Sequence, residues 1–389
     1  MAPVAPPRRH PFAALIRAWP LEPEVRSYRA AITVENFGFK SGTRIMELLV
    51  SLSIPKLVRS VPRMLANFGI GTLAAVLGVA VLAGGALLLA RAVPEQKFVE
   101  YRMSEPQDAP IAIAAGTDGS IWFTIDHADA IGRLRNGRVE RLPTSSRNNE
   151  PLGLAVAADG SAWYTDLGAR AIARISSVGE IERFVLDTPI ARLGRLAIAP
   201  DGAAWFADPT GYGMTRLKDG VFTRYQIESA RGGPYGVAVT ADGAVWATLQ
   251  NGNQLLHIAA DGTGRTFDLP RGGAVPTDVA VGSDGSVWFL QFRANRIGRF
   301  KDGQFSDVEA GRENAGLSGI AVAPNDDVWF GMLRSASLGR LRNGHITVFA
   351  LPRDNARPFS VAVDRDGNVW YADISGFVGM LPARHAGAR

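Results

Sequence analysis

The chain has 389 residues, with 42 Lys and Arg against 37 Asp and Glu, and a formal net charge of +5. It contains no cysteine, which excludes disulfide staples and thiolate chemistry. The positive surplus sits at one end: residues 1–97 carry 12 basic and 5 acidic side chains, the remainder 30 and 32. The larger part is therefore near neutral, and nucleic acid is not its expected partner.

Residues 1–63 open with Ala2-Pro3-Val4-Ala5-Pro6-Pro7 and read as a basic tail. The mixed apolar stretch from Ile45 to Leu57 fits a short amphipathic helix on a membrane surface or a disordered segment equally well. From Met64 to Ala90 there is no charged residue. As a helix this run is long enough to span roughly 30 Å of hydrocarbon, so residues 64–91 read as a transmembrane signal-anchor. Lys56, Arg59 and Arg63 precede it, whereas Arg91 and Lys97 behind it are offset by Glu95. The positive-inside rule then places the N-terminus in the cytoplasm and everything after the linker, residues 92–97, outside a single-pass inner membrane anchor, in the periplasm. The rival reading is a cleaved signal peptide, with Ala90-Arg91-Ala92 as the small-x-small site; an apolar run this long behind so long a leader favours retention.

Beyond the linker, tryptophan recurs at positions 122, 163, 205, 246, 288, 329 and 370, with gaps of 41 or 42 residues. A period that regular is one supersecondary unit repeated seven times. Alanine stands eight residues before each Trp, between larger apolar residues, as in Leu154-Ala155-Val156 and Val237-Ala238-Val239. That alternation marks an inner strand with little room on one face. An aromatic follows six of the seven Trp, Ala247 being the exception, which predicts aromatic packing between neighbouring units. Four short strands per unit make the fold an all-β, seven-bladed propeller of four-stranded blades over 98–382, preceded by one transmembrane helix and followed by a tail, 383–389.

Asp-Gly pairs such as Asp118-Gly119 and Asp201-Gly202 join the first and second strands, and pairs such as Asn136-Gly137 and Asp302-Gly303 join the third and fourth. They predict tight two-residue hairpins, with both central residues at positive φ, on one face of the disc. The opposite face receives the longer links, and variable chemistry is expected there. Phe98-Val99-Glu100-Tyr101-Arg102 reads as a fourth strand with no earlier partners, and the last repeat supplies only three. The N-terminal strand is expected to complete the last blade and close a monomeric ring.

The repeated phrase, with Pro opening the inner strand, Gly-Ser-x-Trp-Phe-Thr in the second and Asn295-Arg296-Ile297-Gly298-Arg299 in the third, resembles the virginiamycin B lyase family. The resemblance covers about 98–382 and implies metal-assisted elimination on streptogramin B antibiotics. In that chemistry a divalent ion, expected to be Mg2+, polarises an ester and a His removes the proton α to the carbonyl. The implied residues are a Glu and a His flanking the Pro that opens an inner strand, a Glu three residues after that blade's Trp, and a second His from the preceding blade. The best-fitting repeat offers Glu150 before Pro151 and Asp166 three residues after Trp163, so Glu150 and Asp166 are the implied metal ligands. The position of the base is Leu152. Across the repeats this slot holds Ile111, Leu152, Gly194, Tyr235, Thr277, Ser318 and Phe359, none of which is a base near neutral pH.

Among the remaining histidines, His257 takes a third-strand slot that is Arg in five repeats, and His345 follows a tight turn. His127, in Asp126-His127-Ala128-Asp129 of a long loop, is the candidate for a displaced catalytic base or an extra ligand, against the plain reading of a hydrated loop. The long links also carry Arg147, Arg192, Arg231, Arg271, Arg312, Arg353 and Arg357. Their guanidinium groups form a candidate rim for an anionic or carboxylate-bearing ligand, against the plain reading of ordinary surface. Three function classes remain: a ligand- or protein-binding propeller without the family's base; a metal-dependent lyase or lactone hydrolase on a cyclic ester with a relocated base; and an envelope scaffold with no converging polar groups on the open face.

Overall fold

The computed structural model describes residues 97–387, apart from 127, 145–150, 187–192, 209–212, 227 and 229. The expected tail (1–63), anchor (64–91) and nearly all of the linker (92–97) lie outside the described residues, as do His127, Arg147, Glu150 and Arg192. Among the described residues no helix is long and apolar enough to cross a membrane.

Among the described residues twenty-eight strands form seven four-stranded antiparallel sheets, each made of consecutive strands except one. That one joins Val99–Arg102 to Phe377–Leu381, with Val99 opposite Met380 and Arg102 opposite Phe377, so the first strand completes the seventh blade. Ring closure leaves both chain ends of the propeller in one sheet and removes an open edge. The expected tail is only partly a tail: Ala383–Ala386 forms one helical turn, held where the Ala383 N–H donates to Asn368 Oδ1 at 2.9 Å and Arg340 donates to the Ala386 carbonyl.

The Trp-aromatic pair explains how one blade finds the next. Adjacent residues on a strand face opposite sides of the sheet. Trp122 of the first blade packs with Leu154, Tyr164 and Ala173 of the second, and Trp163 packs with Leu196 and Phe206 of the third. The pattern continues to Trp370 of the seventh blade, which packs with Phe123 and Ile113 of the first. Each Trp thus points forward and each aromatic backward, giving seven small interblade cores instead of one. All seven repeat Trp but Trp288 are buried.

Third-strand residues complete this packing. Phe123, Phe289, Phe330 and Tyr371 each lie opposite a glycine, and a Cβ on Gly298 would stand 2.3 Å from the Phe289 ring. In the fourth blade the sizes are exchanged, Ala247 facing Leu256, which accounts for the one repeat without an aromatic. The Trp themselves lie opposite Arg133, Arg174, Arg299 and Arg340, whose guanidinium carbons sit 5.1–5.8 Å from the ring centroids. His257 fills the same slot over Trp246, with ring centroids 4.4 Å apart. It is a packing substitution for arginine.

The two sets of tight turns differ from each other. Asn136-Gly137, Asp219-Gly220, Asp302-Gly303 and Asn343-Gly344 have positive φ at both residues, as two-residue hairpins require. In the first-to-second connections only the residue at the glycine position is left-handed, Asp326 standing there in the sixth blade. There the loop has three residues, Gly116 N–H donates to the Ser120 carbonyl at 2.7 Å, and Asp118 Oδ1 accepts the Ser120 N–H at 3.0 Å. The expectation of two-residue turns holds for one set and fails for the other, because the Asp side chain stabilises a type I turn ahead of the glycine.

Candidate functional site

On the loop-bearing face the inner strands start, and just after their first residues most pair irregularly with the second strand. Register shifts fall at Pro110/Ile113, Pro234/Val237, Pro276/Val279, Ser318/Ile320 and Pro358/Ser360. An amide at this end of the inner strand finds a side chain in three blades: Thr124, Thr165 and Thr248 Oγ1 accept the N–H groups of Ala112, Gly153 and Gly236, each at 2.9 Å. This is the structural reason for the Thr in the Trp-Phe-Thr phrase.

One residue further along each inner strand than Leu152 lies the column Ala112, Gly153, Arg195, Gly236, Asp278, Gly319 and Ser360. The glycines alternate with side-chain-bearing residues because neighbouring inner strands nearly touch here. A Cβ on Gly236 would lie 2.6 Å from the Thr277 carbonyl, and one on Gly319 2.6 Å from Ser360 Cα. Two of the four remaining places are charged. Arg195 Nη2 lies 3.5 Å from Asp278 Oδ2, and Arg195 Nη1 lies 3.5 Å from Ser360 Oγ. These contacts join the third blade to the fifth and seventh, which are not its neighbours, so they cross the axial channel below the loop-bearing face. Arg195 also bonds Tyr235; burial opposes its charge, but Asp278 and Tyr235 outweigh this and its pKa stands above the ordinary value. Sequence reasoning missed Arg195 and Asp278. The signal was a column otherwise limited to Gly, Ala and Ser.

Asp166 ends its strand with no solvent exposure. Its Oδ1 accepts the Ala169 N–H at 2.9 Å, and its Oδ2 lies 3.4 Å from Arg183 Nε on the outer strand of the same blade. Tyr164 lies beside this pair, its phenol pushed up to about 12 chiefly by burial. Asp208 meets Arg224 at 3.7 Å in the next blade, and Asp373 meets Arg353 at 2.5 Å in the seventh. The slot three residues after Trp is thus a buried acid-arginine anchor in three blades. Among the described residues no group of three His, Asp or Glu stands close enough to hold a metal ion. Asp166 is engaged by an amide and a guanidinium, and Glu150, its expected companion, lies outside the described residues.

The rim arginines divide. Arg231 is paired with Asp268, and Arg271 Nε lies 3.7 Å from Asp307. Arg353 is drawn into the closure of the seventh blade. Arg312 and Arg357 are exposed on the links; the Arg312 carbonyl accepts from Asn295, and the Arg357 N–H donates to Asp373. On the opposite, tight-turn face, where no variable chemistry was expected, a cleft of about 780 Å3 opens between the second, third and fourth blades over Trp163, Phe184, Arg174, Asp201 and Val239.

A model of the Virginiamycin B lyase family matches residues 84–217 and 195–385. The chain belongs to the virginiamycin B lyase family. A virginiamycin B lyase of Nocardia farcinica is 34% identical over 167 residues, which is 43% of this chain and 57% of that relative, so the chain spans little more than half the relative's length. A solved streptogramin B lyase superimposes with a TM-score of 0.69 at 27% identity, covering 73% of this chain and 96% of that one. A catalytically inactive histidine-to-alanine virginiamycin B lyase from Staphylococcus aureus, solved with quinupristin, shares the fold with a TM-score of 0.69 at 24% identity over 73% of this chain and 98% of its own. Family membership settles the fold. At the position where the family resemblance implies a base, this member carries Leu152.

Proposed function

We propose that this family member is an inner-membrane-anchored, extracytoplasmic binding propeller that does not carry out streptogramin linearisation. One observation carries the reading: Leu152 occupies the position of the implied base, while the acidic residue implied as its metal-binding companion, Asp166, is buried against Arg183. An isobutyl group accepts no proton, and losing a general base costs about 10²–10⁴ in rate. A carboxylate already neutralised by a guanidinium has little charge left for a cation. The ligand, a small molecule or a protein segment, binds on the loop-bearing face, where Arg312 and Arg357 supply exposed positive charge. Anchoring rests on the charge-free run from Met64 to Ala90 and its basic upstream flank.

The alternative is a metal-dependent lyase or lactone hydrolase in which Glu150 and Asp166 hold Mg2+ and His127 serves as the relocated base. Its support is the family itself and the sequence slots of the three residues, which fall in or beside the long links. The two readings separate in a single assay. Purified protein incubated with a streptogramin B and magnesium is expected to leave the ring intact, and its melting temperature is expected to ignore added magnesium. Brisk linearisation abolished by His127→Ala, or a magnesium-dependent rise in melting temperature abolished by Glu150→Ala, overturns the binding reading.

A further inference from the structure

We propose that Arg195 is the anchor for a small carboxylate-bearing ligand entering the axial channel from the loop-bearing face, and that Asp278 is the internal counterion it leaves on binding. The inference rests on the binding reading above and names the chemistry of the ligand.

Placement comes first. Arg195 immediately precedes its inner strand, and Asp278 and Ser360 are the third residues of theirs, at the end of the channel from which the long links emerge. The column offers no other charge, because Gly153, Gly236 and Gly319 are held to glycine by the next strand's backbone and the first blade carries Ala112. A ligand entering here therefore meets one guanidinium.

Geometry comes second. Arg195 and Asp278 are both 13% exposed, yet they stand 3.5 Å apart. Some more exposed ion pairs of the same protein are closer, such as Arg216–Asp201 at 2.6 Å and Lys301–Asp284 at 2.7 Å. A shielded pair at that separation recovers little of its desolvation cost. Guanidinium has five donors in a planar fork, suited to two parallel bonds with a carboxylate, and Asp278 approaches with a single oxygen. Ser360 Oγ, at 3.5 Å, adds only a long contact. The fork is charged and partly shielded, and beyond its bond to Tyr235 its contacts to Asp278 and Ser360 are both long.

Exchange comes third. Asp278 does not depend on Arg195 alone: its Oδ1 accepts the Val279 N–H at 3.1 Å and its Oδ2 the Ile320 N–H at 3.4 Å. The carboxylate keeps these amide partners if the guanidinium swings away, so its burial is not left uncompensated. Arg312 and Arg357 on the links above raise the local concentration of anions.

The test uses the full-length protein in detergent, with succinate as probe and sodium chloride adjusted to constant ionic strength. Succinate is expected to raise the melting temperature of the unaltered protein with a saturable dependence. Arg195→Gln should abolish the rise. Arg195→Lys, which keeps the charge and loses the fork, should weaken apparent affinity about tenfold. Asp278→Asn, which removes the competitor, should strengthen it several-fold, and this gain also tests the proposal should Arg195→Gln fail to fold. An unchanged succinate response in Arg195→Gln, or no response in both the unaltered protein and Asp278→Asn, overturns the assignment. A response lost only in Arg312→Gln or Arg357→Gln leaves the binding reading standing and removes Arg195 from it. Streptogramin linearisation removes the binding reading whatever succinate does.

Discussion

Arg353 and Glu100 are 253 positions apart, and their side chains meet in a two-pronged ion pair, Nε to Oε2 and Nη2 to Oε1, each at 3.0 Å. Glu100 lies on the strand that completes the seventh blade, and Arg353 on the link leading into that blade. The same guanidinium reaches Asp373 at 2.5 Å, and Glu100 also accepts a 2.8 Å bond from the Tyr371 hydroxyl. Burial and the adjacent Glu100 hold that phenol far above its ordinary pKa. The backbone ladder brings the first strand home, and this side-chain cluster locks it there.

Breaking the lock should be expensive, because neither partner is more than 20% exposed and each leaves the other uncompensated. Glu100→Ala is expected to destabilise the propeller by about 3 kcal/mol, read as a shift in the denaturant midpoint. Deleting residues 98–103, which removes the strand itself, should unfold or oligomerise the domain, whereas deleting 1–63 should not. A monomer with unchanged unfolding after the 98–103 deletion refutes this account of closure.

The exchange of sizes between Ala247 and Leu256 makes a reciprocal test. Ala247→Phe alone overfills the fourth blade and should cost about 2 kcal/mol. Adding Leu256→Ala recreates the pairing seen at Tyr164 and Ala173 and should recover at least half, giving a coupling energy of about 1 kcal/mol in a double-mutant cycle. Strict additivity of the two substitutions counts against the packing argument.

Acid should act on the tight-turn face. Burial works against the Asp201 carboxylate, but the Ala203 N–H, Lys218 and Arg216 bring it down to about 2, and Lys301 with Ser286 lowers Asp284 in the same way. A folded pKa below the unfolded value of about 3.9 means stability that is present above pH 4 and lost as pH falls towards 2. His257 adds an earlier loss: burial, reinforced by Arg265, lowers its pKa, so protonation below about pH 6.5 favours the unfolded chain. Thermal scans should show both phases, with Asp201→Asn flattening the lower one and His257→Gln the upper. Unaltered slopes in both variants contradict the assignment.

If Asp166 is an internal anchor, Arg183→Ala leaves a buried carboxylate without its guanidinium and should cost about 3 kcal/mol at neutral pH. Added magnesium should not restore the loss. Full rescue by magnesium makes Asp166 a cation ligand after all and favours the lyase reading.

A reporter fused after Arg389 is expected to be active only outside the cytoplasm, given the basic flank ahead of Met64. Cytoplasmic activity reverses the orientation.

The sequence by itself determined the number of blades, the inner strands and the closure of the ring, because a repeated packing demand puts the same residue types at the same interval. Trp122 to Trp370 and the orphan strand at Val99 are legible for that reason. It also marked the acidic slot after Trp, but a slot says nothing about what stands opposite. Only the tertiary structure decided that Asp166 faces Arg183, that Arg353 serves closure, and that Arg195 reaches across the channel to Asp278. Those partners lie 17, 253 and 83 positions apart and on strands or links whose side chains obey no period. Periodicity encodes the backbone frame, whereas the charges that meet at the channel are brought together only by the curvature of seven sheets around one axis.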